Sequence, residues 1–189
     1  MQPPLSPFKK KHESPEQRLL NRPISDKTTS LPFSTYNYLF SEIIRYHQDN
    51  VTGISELESK LHEIGYSIGN KIYDVLVYCN KYKSDNNILT LLSFLHGTVW
   101  QYLFGKKADA LEKSSENQNE YMISDNSPMT SQFITPPKDM GSFSSGAMVA
   151  GIVEAFCDLS RFPATVTAHN MPTNDHPLRC TILIRLENQ

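Results

Sequence analysis

The sequence predicts an α/β domain in which three helices come first, followed by a small antiparallel sheet with one further helix. Three observations predict it. The chain has 189 residues, of which 39% are hydrophobic, which is enough for one domain with its own core. Apolar residues recur at helical spacing from about Ser34 to Phe104. Beyond that point the pattern changes to short alternating runs separated by turn residues, which is typical of strands.

Amphipathic stripes predict the first two helices. The first helix begins near Ser34 and ends near Asp49, and the second opens at Ser55. Ser55 and Glu58 have the S-x-x-E spacing of a capping box. The apolar stripe of the first helix comprises Tyr36, Leu39, Phe40, Ile43, Ile44, Tyr46 and His47, and that of the second comprises Leu57, Leu61, Ile64, Ile68, Ile72, Val75 and Leu76.

Glycines and small residues indicate close helix packing. Gly65 and Gly69 lie four residues apart on the second helix, where each costs about 1 kcal/mol relative to alanine, so we expect a neighbouring backbone against them. The third helix covers about 88–104, and Gly105 ends it. A fourth helix, about 145–159, has small side chains at four-residue spacing and is predicted to be mostly buried.

Four short runs read as strands. They are 120–124, then 131–135 between a turn at Pro128 and the stop at Pro136, then 165–169 and 180–186. The segment 108–113 is compatible with either a helix end or a strand.

The first residues differ from the rest in composition. The first 32 residues hold six of the twelve prolines, with six basic and three acidic residues. Residues 1–17 therefore read as a disordered, basic, proline-rich tail, and 18–189 as a single domain. The run Lys9 to Lys11 suits either a solubilising tail or a weak attraction to a membrane or partner.

Composition also limits the function. A formal charge of −2 gives no general attraction to nucleic acid. Three scattered cysteines favour a reducing compartment, and the N-terminus has no secretory h-region. The charge-free stretch 86–105 is long enough to span a bilayer, but its polar residues and helical spacing favour a buried helix of a soluble domain.

No motif predicts catalysis or a cofactor. His169, His176 and Cys180 have metal-ligand side chains without a sensible ligand spacing, and a surface histidine pair with a core cysteine is the simpler interpretation. Cys157 could pair with His96 or His169 as a nucleophile, but it lies in an apolar helix where thiols are usually inert. Phosphate-binding loops are missing from the sequence, and no cofactor is expected.

Glu154 is the one charged residue between Met140 and Cys157. A carboxylate on a buried helix must be paired, hydrogen-bonded or on a solvent-facing side. The sequence leaves open whether Glu154 forms an internal ion pair, contacts a partner or is simply exposed.

Four strings carry a family resemblance. LHEIGYSIGNKI at 61–72, VWQYLFGKKAD at 99–109, AGIVEA at 150–155 and FPATVTAH at 162–169 resemble the Bet-three-like family of TRAPP subunits. The resemblance extends from about Arg18 to Leu186. It implies an α+β plait, in which helices pack on a small twisted antiparallel sheet.

The resemblance also implies a function. Family members assemble with one another into the TRAPP vesicle tether, which promotes nucleotide exchange on a Rab/Ypt GTPase in ER-to-Golgi transport. The expected role is a non-catalytic scaffold that binds Bet-three-type and sedlin-type small subunits and meets the GTPase only through the assembled complex. The expected location is the cytoplasm and the cytoplasmic face of cis-Golgi and ER membranes, reached through the complex.

One family feature does not carry over. The founding subunit has an acylated cysteine about twenty residues after the glycine that matches Gly65, and that count reaches Asp85 here, six positions beyond Cys79. No covalent lipid is therefore expected, although a small-molecule or acyl-chain binding module is the alternative function for this fold.

The resemblance implies that related subunits pair through their N-terminal helices. The two wide apolar stripes are also expected to be too large to be covered within so small a domain. The interface is therefore expected at Tyr36, Phe40, Ile43, Leu57, Leu61, Ile64 and Ile68.

Overall fold

The described part of the chain contains four helices, and they lie where apolar residues recur at helical spacing in the sequence. The computed structural model describes residues 32–79, 82, 87–115, 117–132, 134, 136 and 140–187, all within one unit, Leu31–Gln189. The tail predicted at 1–17 lies outside the described residues. The helices are α1 at Phe33–Gln48, α2 at Ile54–Cys79, α3 from Ile88 to Phe104 and α4 at Ala147–Leu159.

The third helix has the predicted limits and one irregular turn. The Asn87 side chain accepts a hydrogen bond from the Leu89 amide at 2.9 Å and so caps its start. A π-helical turn at Leu95–Val99 separates two α-helical parts. Gly105 ends the helix with φ of 71°, a left-handed conformation that glycine adopts without strain.

Four antiparallel strands form the sheet in the order β1-β2-β4-β3. In chain order they are β1 at Ala110–Lys113, β2 at Glu120–Asp125, β3 at Ala164–Asn170 and β4 at Cys180–Leu186. The last two strands are consecutive in the chain and form a hairpin, and β4 lies between β2 and β3. The sheet edges are therefore β1 and β3.

The structure corrects one predicted strand. The described residues of 131–135 are 131, 132 and 134, and none of them is in the sheet. Their amides make turn hydrogen bonds instead, from Ser131 to the Pro128 carbonyl and from Ile134 to the Ser131 carbonyl. The prolines at both ends favour turns over a ladder. The fourth strand of the sheet is instead β1, at Ala110–Lys113. The segment 108–113, which the sequence left open between a helix end and a strand, therefore contains a strand.

The predicted capping box is also wrong. Helix α2 begins at Ile54, so Ser55 is already helical and Glu56 lies in the first turn. Glu56 accepts hydrogen bonds from the amide and hydroxyl of Thr52, at 2.9 and 3.0 Å. Glu58 instead accepts one from the Ser144 amide at 2.6 Å, which joins α2 to the segment before α4.

Two apolar clusters form the core. The larger lies between the sheet, α3 and α4, and contains the fully buried side chains of Trp100 and Phe156. The Trp100 indole donates to the buried Asp125 carboxylate at 3.1 Å, and Lys106 neutralises that carboxylate. The smaller cluster joins α1 and α2 to the start of α4. The fold class predicted from sequence, an α/β domain with a small antiparallel sheet, is confirmed.

Helices α2 and α4 touch through their backbones, as the glycine spacing predicts. A methyl group on Gly65 would overlap the Met148 carbonyl, and one on Gly151 would overlap the His62 carbonyl. On Gly69 it would lie 2.7 Å from the Ala155 methyl. Ten residues of α4 are buried, in agreement with the predicted burial of this helix.

Candidate interaction surfaces

The seven residues predicted at an interface lie together around the smaller core cluster. Phe40, Leu57 and Leu61 are buried, with 2%, 0% and 0% of their surface exposed. The half-buried members, packed against the same cluster, are Tyr36, Ile43, Ile64 and Ile68. Much of both stripes is therefore covered within the chain, by Phe143, Ala147 and Met148, contrary to the expectation that they are uncovered. The assignment of these residues to an interface stays a prediction.

Tyr36 has a polar group in this apolar setting. Its ring stacks against those of Phe33 and Phe40, with centroids 6.4 and 5.8 Å away. Its hydroxyl is buried without a hydrogen-bond partner among the described residues. Burial raises the pKa of this phenol well above its ordinary value, so Tyr36 stays neutral.

The other side of α1 exposes large apolar side chains. Tyr38, Leu39 and Tyr46 have 77%, 62% and 68% of their surface exposed. Leu39 and Tyr46 are seven residues apart, two turns of the helix, and so lie on one face. The sequence pattern places Leu39 and Tyr46 in the apolar stripe of this helix and does not single out Tyr38. We call Leu39 and Tyr46 the outer face of α1, and Tyr38 points about 100° away from it around the helix.

A second surface is a groove of about 800 Å³ between α2 and the edge strand β3. One wall is the first part of α2, the other is β3, and the residues around the start of α4 complete the lining. We call it the α2–β3 groove. The residues that line it are Ser55, Glu58, Ser59, His62, Gly141, Ser142, Ser144, Ala147, Ala150, Val166, Thr167, Ala168, His169, Asn170 and Met171.

Glu154 joins three elements beside this groove. Its Oε2 atom accepts a hydrogen bond from the Val166 amide of β3 at 2.9 Å. The same oxygen lies 3.4 Å from Nε2 of His62 on α2. The sequence left open whether Glu154 is paired within the chain, contacts a partner or is simply exposed. In the structure it is paired within the chain.

The candidate nucleophile and metal ligands are dispersed. Cys157 is fully buried, and burial raises the pKa of its thiol to about 12. His96 lies in the π turn of α3 and His169 is exposed on β3, where its Nε2 contacts the Thr167 hydroxyl at 2.9 Å. Burial also raises the pKa of the Cys180 thiol, to about 11. In the described part of the chain, no three His, Cys, Asp or Glu residues are grouped as metal ligands would be.

Three features of the structure bear on the alternative function, the binding of an acyl chain. Cys79 is half-buried at the end of α2, and Asp85 lies outside the described residues. The pocket beside Trp100, Phe104 and Cys180 has about 10 Å³, the room of one water molecule. Among the described helices, none is both long and apolar enough to cross a membrane.

The fold defines a small α/β protein of a known structural class. A crystal structure of trafficking protein particle complex subunit 3 from Naegleria fowleri, covalently bound to palmitic acid, superposes with a TM-score of 0.73 at 12% identity. It covers 82% of this chain and 95% of that one. An H-NOX protein from K. algicida superposes with a TM-score of 0.53 at 12% identity, over 88% and 79% of the two chains. At these identities the likeness is one of fold.

The chain belongs to the family of transport protein particle (TRAPP) components, whose profile it matches over residues 36–187. It is 42% identical to trafficking protein particle complex subunit 5 of Dictyostelium discoideum, over 88% of this chain and 90% of that protein. The human subunit 5 is 36% identical over 80% and 81% of the two chains. Subunit 31 of Saccharomyces cerevisiae is 45% identical over 57% of this chain and 36% of that protein. The family resemblance read from the sequence is confirmed.

Proposed function

We propose that this protein is a non-catalytic scaffold subunit of the TRAPP vesicle-tethering complex and acts through contacts with other small subunits. The observation that carries the proposal is the 42% identity to a subunit 5 over nearly the full length of both chains. Its partners are Bet-three-type and sedlin-type subunits. Through the assembled complex it supports nucleotide exchange on a Rab/Ypt GTPase in ER-to-Golgi transport, at the cytoplasmic face of those membranes.

The outer face of α1 supports a role in assembly. Leu39 and Tyr46 are large apolar side chains exposed two turns apart on one face of a helix, and exposed apolar surface of this kind commonly marks a partner surface. Beneath it, Phe40 and Ile43 anchor α1 to α2. The seven predicted interface residues would thus fix the position of α1, while Leu39 and Tyr46 make direct contacts.

The state of Cys157 supports a non-catalytic role. A thiol with a pKa of about 12 is almost entirely protonated at neutral pH and is a poor nucleophile. Iodoacetamide should therefore label Cys157 only after unfolding. Labelling in the native protein at a rate comparable to that of free cysteine would favour an enzyme instead.

The proposal is tested by co-expression with the other small TRAPP subunits followed by size-exclusion chromatography. The wild-type chain should co-elute with at least one of them. Leu39→Glu should reduce co-elution at least tenfold, because it places a charge in an apolar contact. Leu89→Glu is the matched control, since Leu89 is 56% exposed on α3, outside α1. Unchanged co-elution of the Leu39 variant would place the interface elsewhere.

A second measurement addresses the GTPase. The purified single chain should not accelerate GDP release from a Rab GTPase, whereas the assembled complex should. Robust acceleration by the single chain would overturn the scaffold role while leaving its place in the complex intact.

A further inference from the structure

The two edges of the sheet differ in how they are protected from pairing with another strand. The edge strand β1 has four residues, and its Glu112 and Lys113 are exposed and charged. Short length and charge are the usual protections of an edge. The opposite edge, β3, has seven residues, Ala164–Asn170, and none of them is Asp, Glu, Lys or Arg.

The register identifies which backbone groups of β3 face outward. The Met171 amide donates to the Arg179 carbonyl at 2.9 Å, and the Glu187 amide donates to the Pro163 carbonyl at 3.0 Å. Odd-numbered residues of β3 therefore point their backbone groups at β4, and even-numbered ones point theirs away from the sheet. The Val166 amide, which reaches Glu154, agrees with this alternation.

This outward row has defined limits. Glu154 occupies the Val166 amide at one end, and Pro172 has no amide to offer at the other. Between them lie the Val166 carbonyl and both backbone groups of Ala168 and Asn170. Among the described residues, none pairs with the backbone of Ala168. The open stretch is thus long enough for a short extended segment.

The α2–β3 groove runs beside this open stretch, since Val166, Ala168 and Asn170 all line it. Gly141, Ala147 and Ala150 are among its lining residues, so small side chains leave room there. Glu58 is the one Asp, Glu, Lys or Arg among the lining residues, and one of its oxygens is held by the Ser144 amide. The groove therefore complements a positive charge.

We propose that the open edge of β3 binds an extended peptide segment of a partner protein, which adds as a fifth strand and places a lysine or arginine near Glu58. Main-chain hydrogen bonds to Ala168 and Asn170 would supply the affinity, and the groove would supply the selectivity for small and basic side chains. A second copy of this chain fits less well, because its own Glu58 would approach the Glu58 of the groove and the two carboxylates would repel each other.

The test uses two synthetic probes with the full-length chain. One is the acetylated, amidated, fluorescently labelled peptide Lys-Val-Ala-Lys-Ala-Val, and the other has glutamate in place of each lysine. Fluorescence anisotropy should give at least tenfold tighter binding of the lysine peptide. Hydrogen exchange at the Ala168 and Asn170 amides should slow when it binds, because both would become donors in the ladder.

Three variants assign the binding to the groove. Ala168→Pro removes an outward backbone donor and should therefore weaken binding of the lysine peptide at least tenfold. The variant should still fold, because proline is tolerated at sheet edges. Glu58→Gln keeps an acceptor for the Ser144 amide and should bring the affinity of the lysine peptide down to that of the glutamate peptide. Ser59→Lys should weaken binding by repulsion, and Ser67→Lys, at an exposed site on α2 outside the groove, should not.

Several results would overturn the proposal. These are failure of the lysine peptide to bind, equal affinity for both peptides, or affinities unchanged in both Ala168→Pro and Ser59→Lys. Dimerisation of the chain that Ala168→Pro abolishes, without peptide binding, would make a second copy the occupant. None of these measurements involves TRAPP subunits, so their outcome is independent of the co-expression experiment.

Discussion

At the scale of single residues, the glycines of α2 and α4 set the distance between these helices. Gly65 faces the Met148 carbonyl and Gly151 faces the His62 carbonyl, so each helix contributes a glycine at which the other backbone approaches. Gly97 on α3 is different, because a methyl group there would meet nothing within 4 Å. Replacement of glycine by alanine should therefore destabilise the protein at Gly65 and Gly151, where it meets a backbone, and not at Gly97.

We expect Gly65→Ala and Gly151→Ala each to lower the free energy of unfolding by at least about 2 kcal/mol, since the added methyl must push a backbone aside. Gly97→Ala is the control and should leave it unchanged or raise it by up to about 1 kcal/mol, the helix-propensity difference. Urea denaturation measures both. A loss below about 0.5 kcal/mol in both helix-contact variants would mean that the helices separate easily.

The buried thiols predict a dependence of stability on alkaline pH. Cys157 and Cys180 ionise near pH 9 in the unfolded chain, but only near 12 and 11 in the folded one. Raised folded pKa values leave stability complete below pH 9, and it falls as the pH rises toward 11 to 12. Each thiol contributes a loss of about 1.4 kcal/mol per pH unit in that window.

Thermal unfolding between pH 8 and pH 10 checks this prediction. The wild-type protein should lose stability faster than Cys157→Ala or Cys180→Ala, and the double variant should show the shallowest dependence. The comparison uses the slope with pH, so a general stability loss from the substitutions does not affect it. Parallel slopes in all four proteins would show that the thiols are not the cause.

At the scale of elements, Glu154 links α4 to α2 and to the edge strand. Glu154→Ala should destabilise the protein by about 1–2 kcal/mol, because it leaves the Val166 amide without its acceptor and His62 without its partner. Glu154→Gln retains an acceptor for the amide and should cost less than half as much. Equal losses in chemical denaturation would assign the effect to the charge beside His62 instead of the strand amide.

The elements themselves were predictable to different degrees. The helices followed from their apolar spacing and from Gly105, because these signals are local. The strand predicted at 131–135 was wrong, since its residues suit strands but Pro128 and Pro136 favour turns. The start of α2 was predicted to within one residue, but its cap was wrong. Glu56 accepts hydrogen bonds from Thr52, and nothing in the local sequence separates this pairing from that of Ser55 and Glu58.

At the scale of the whole molecule, the candidate surfaces depend on contacts between distant segments. The α2–β3 groove combines residues 55–62, 141–150 and 166–171, so no local pattern could have revealed it. The pairing of Glu154 with His62 joins residues 92 positions apart. Sequence patterns mark which residues are apolar, but not which apolar stripe the chain covers by itself. The apolar stripe at Leu57 and Leu61, which the chain covers by itself, illustrates this limit.

Deletion of residues 1–17 should change the melting temperature by less than about 2 °C, because this segment has too little apolar surface to bury. Differential scanning calorimetry of the shortened and full-length proteins measures it. A control deletion through Phe40 removes a buried side chain of the smaller cluster and should lower the melting temperature strongly. A drop of many degrees on removal of residues 1–17 alone would show that the tail packs on the domain.

The backbone contact between α2 and α4 also affects when the protein can fold during its synthesis. Helices α1 to α3 leave the ribosome before residue 147 has been made, and until then Gly65 and Gly69 face no partner helix. Strand β2 likewise waits for β4, which is the last strand to be translated. The nascent chain therefore carries α2 without its principal packing partner until α4 has been made. A chain that stops before α4 should therefore expose this face of α2, and we expect it to be the form that a chaperone binds.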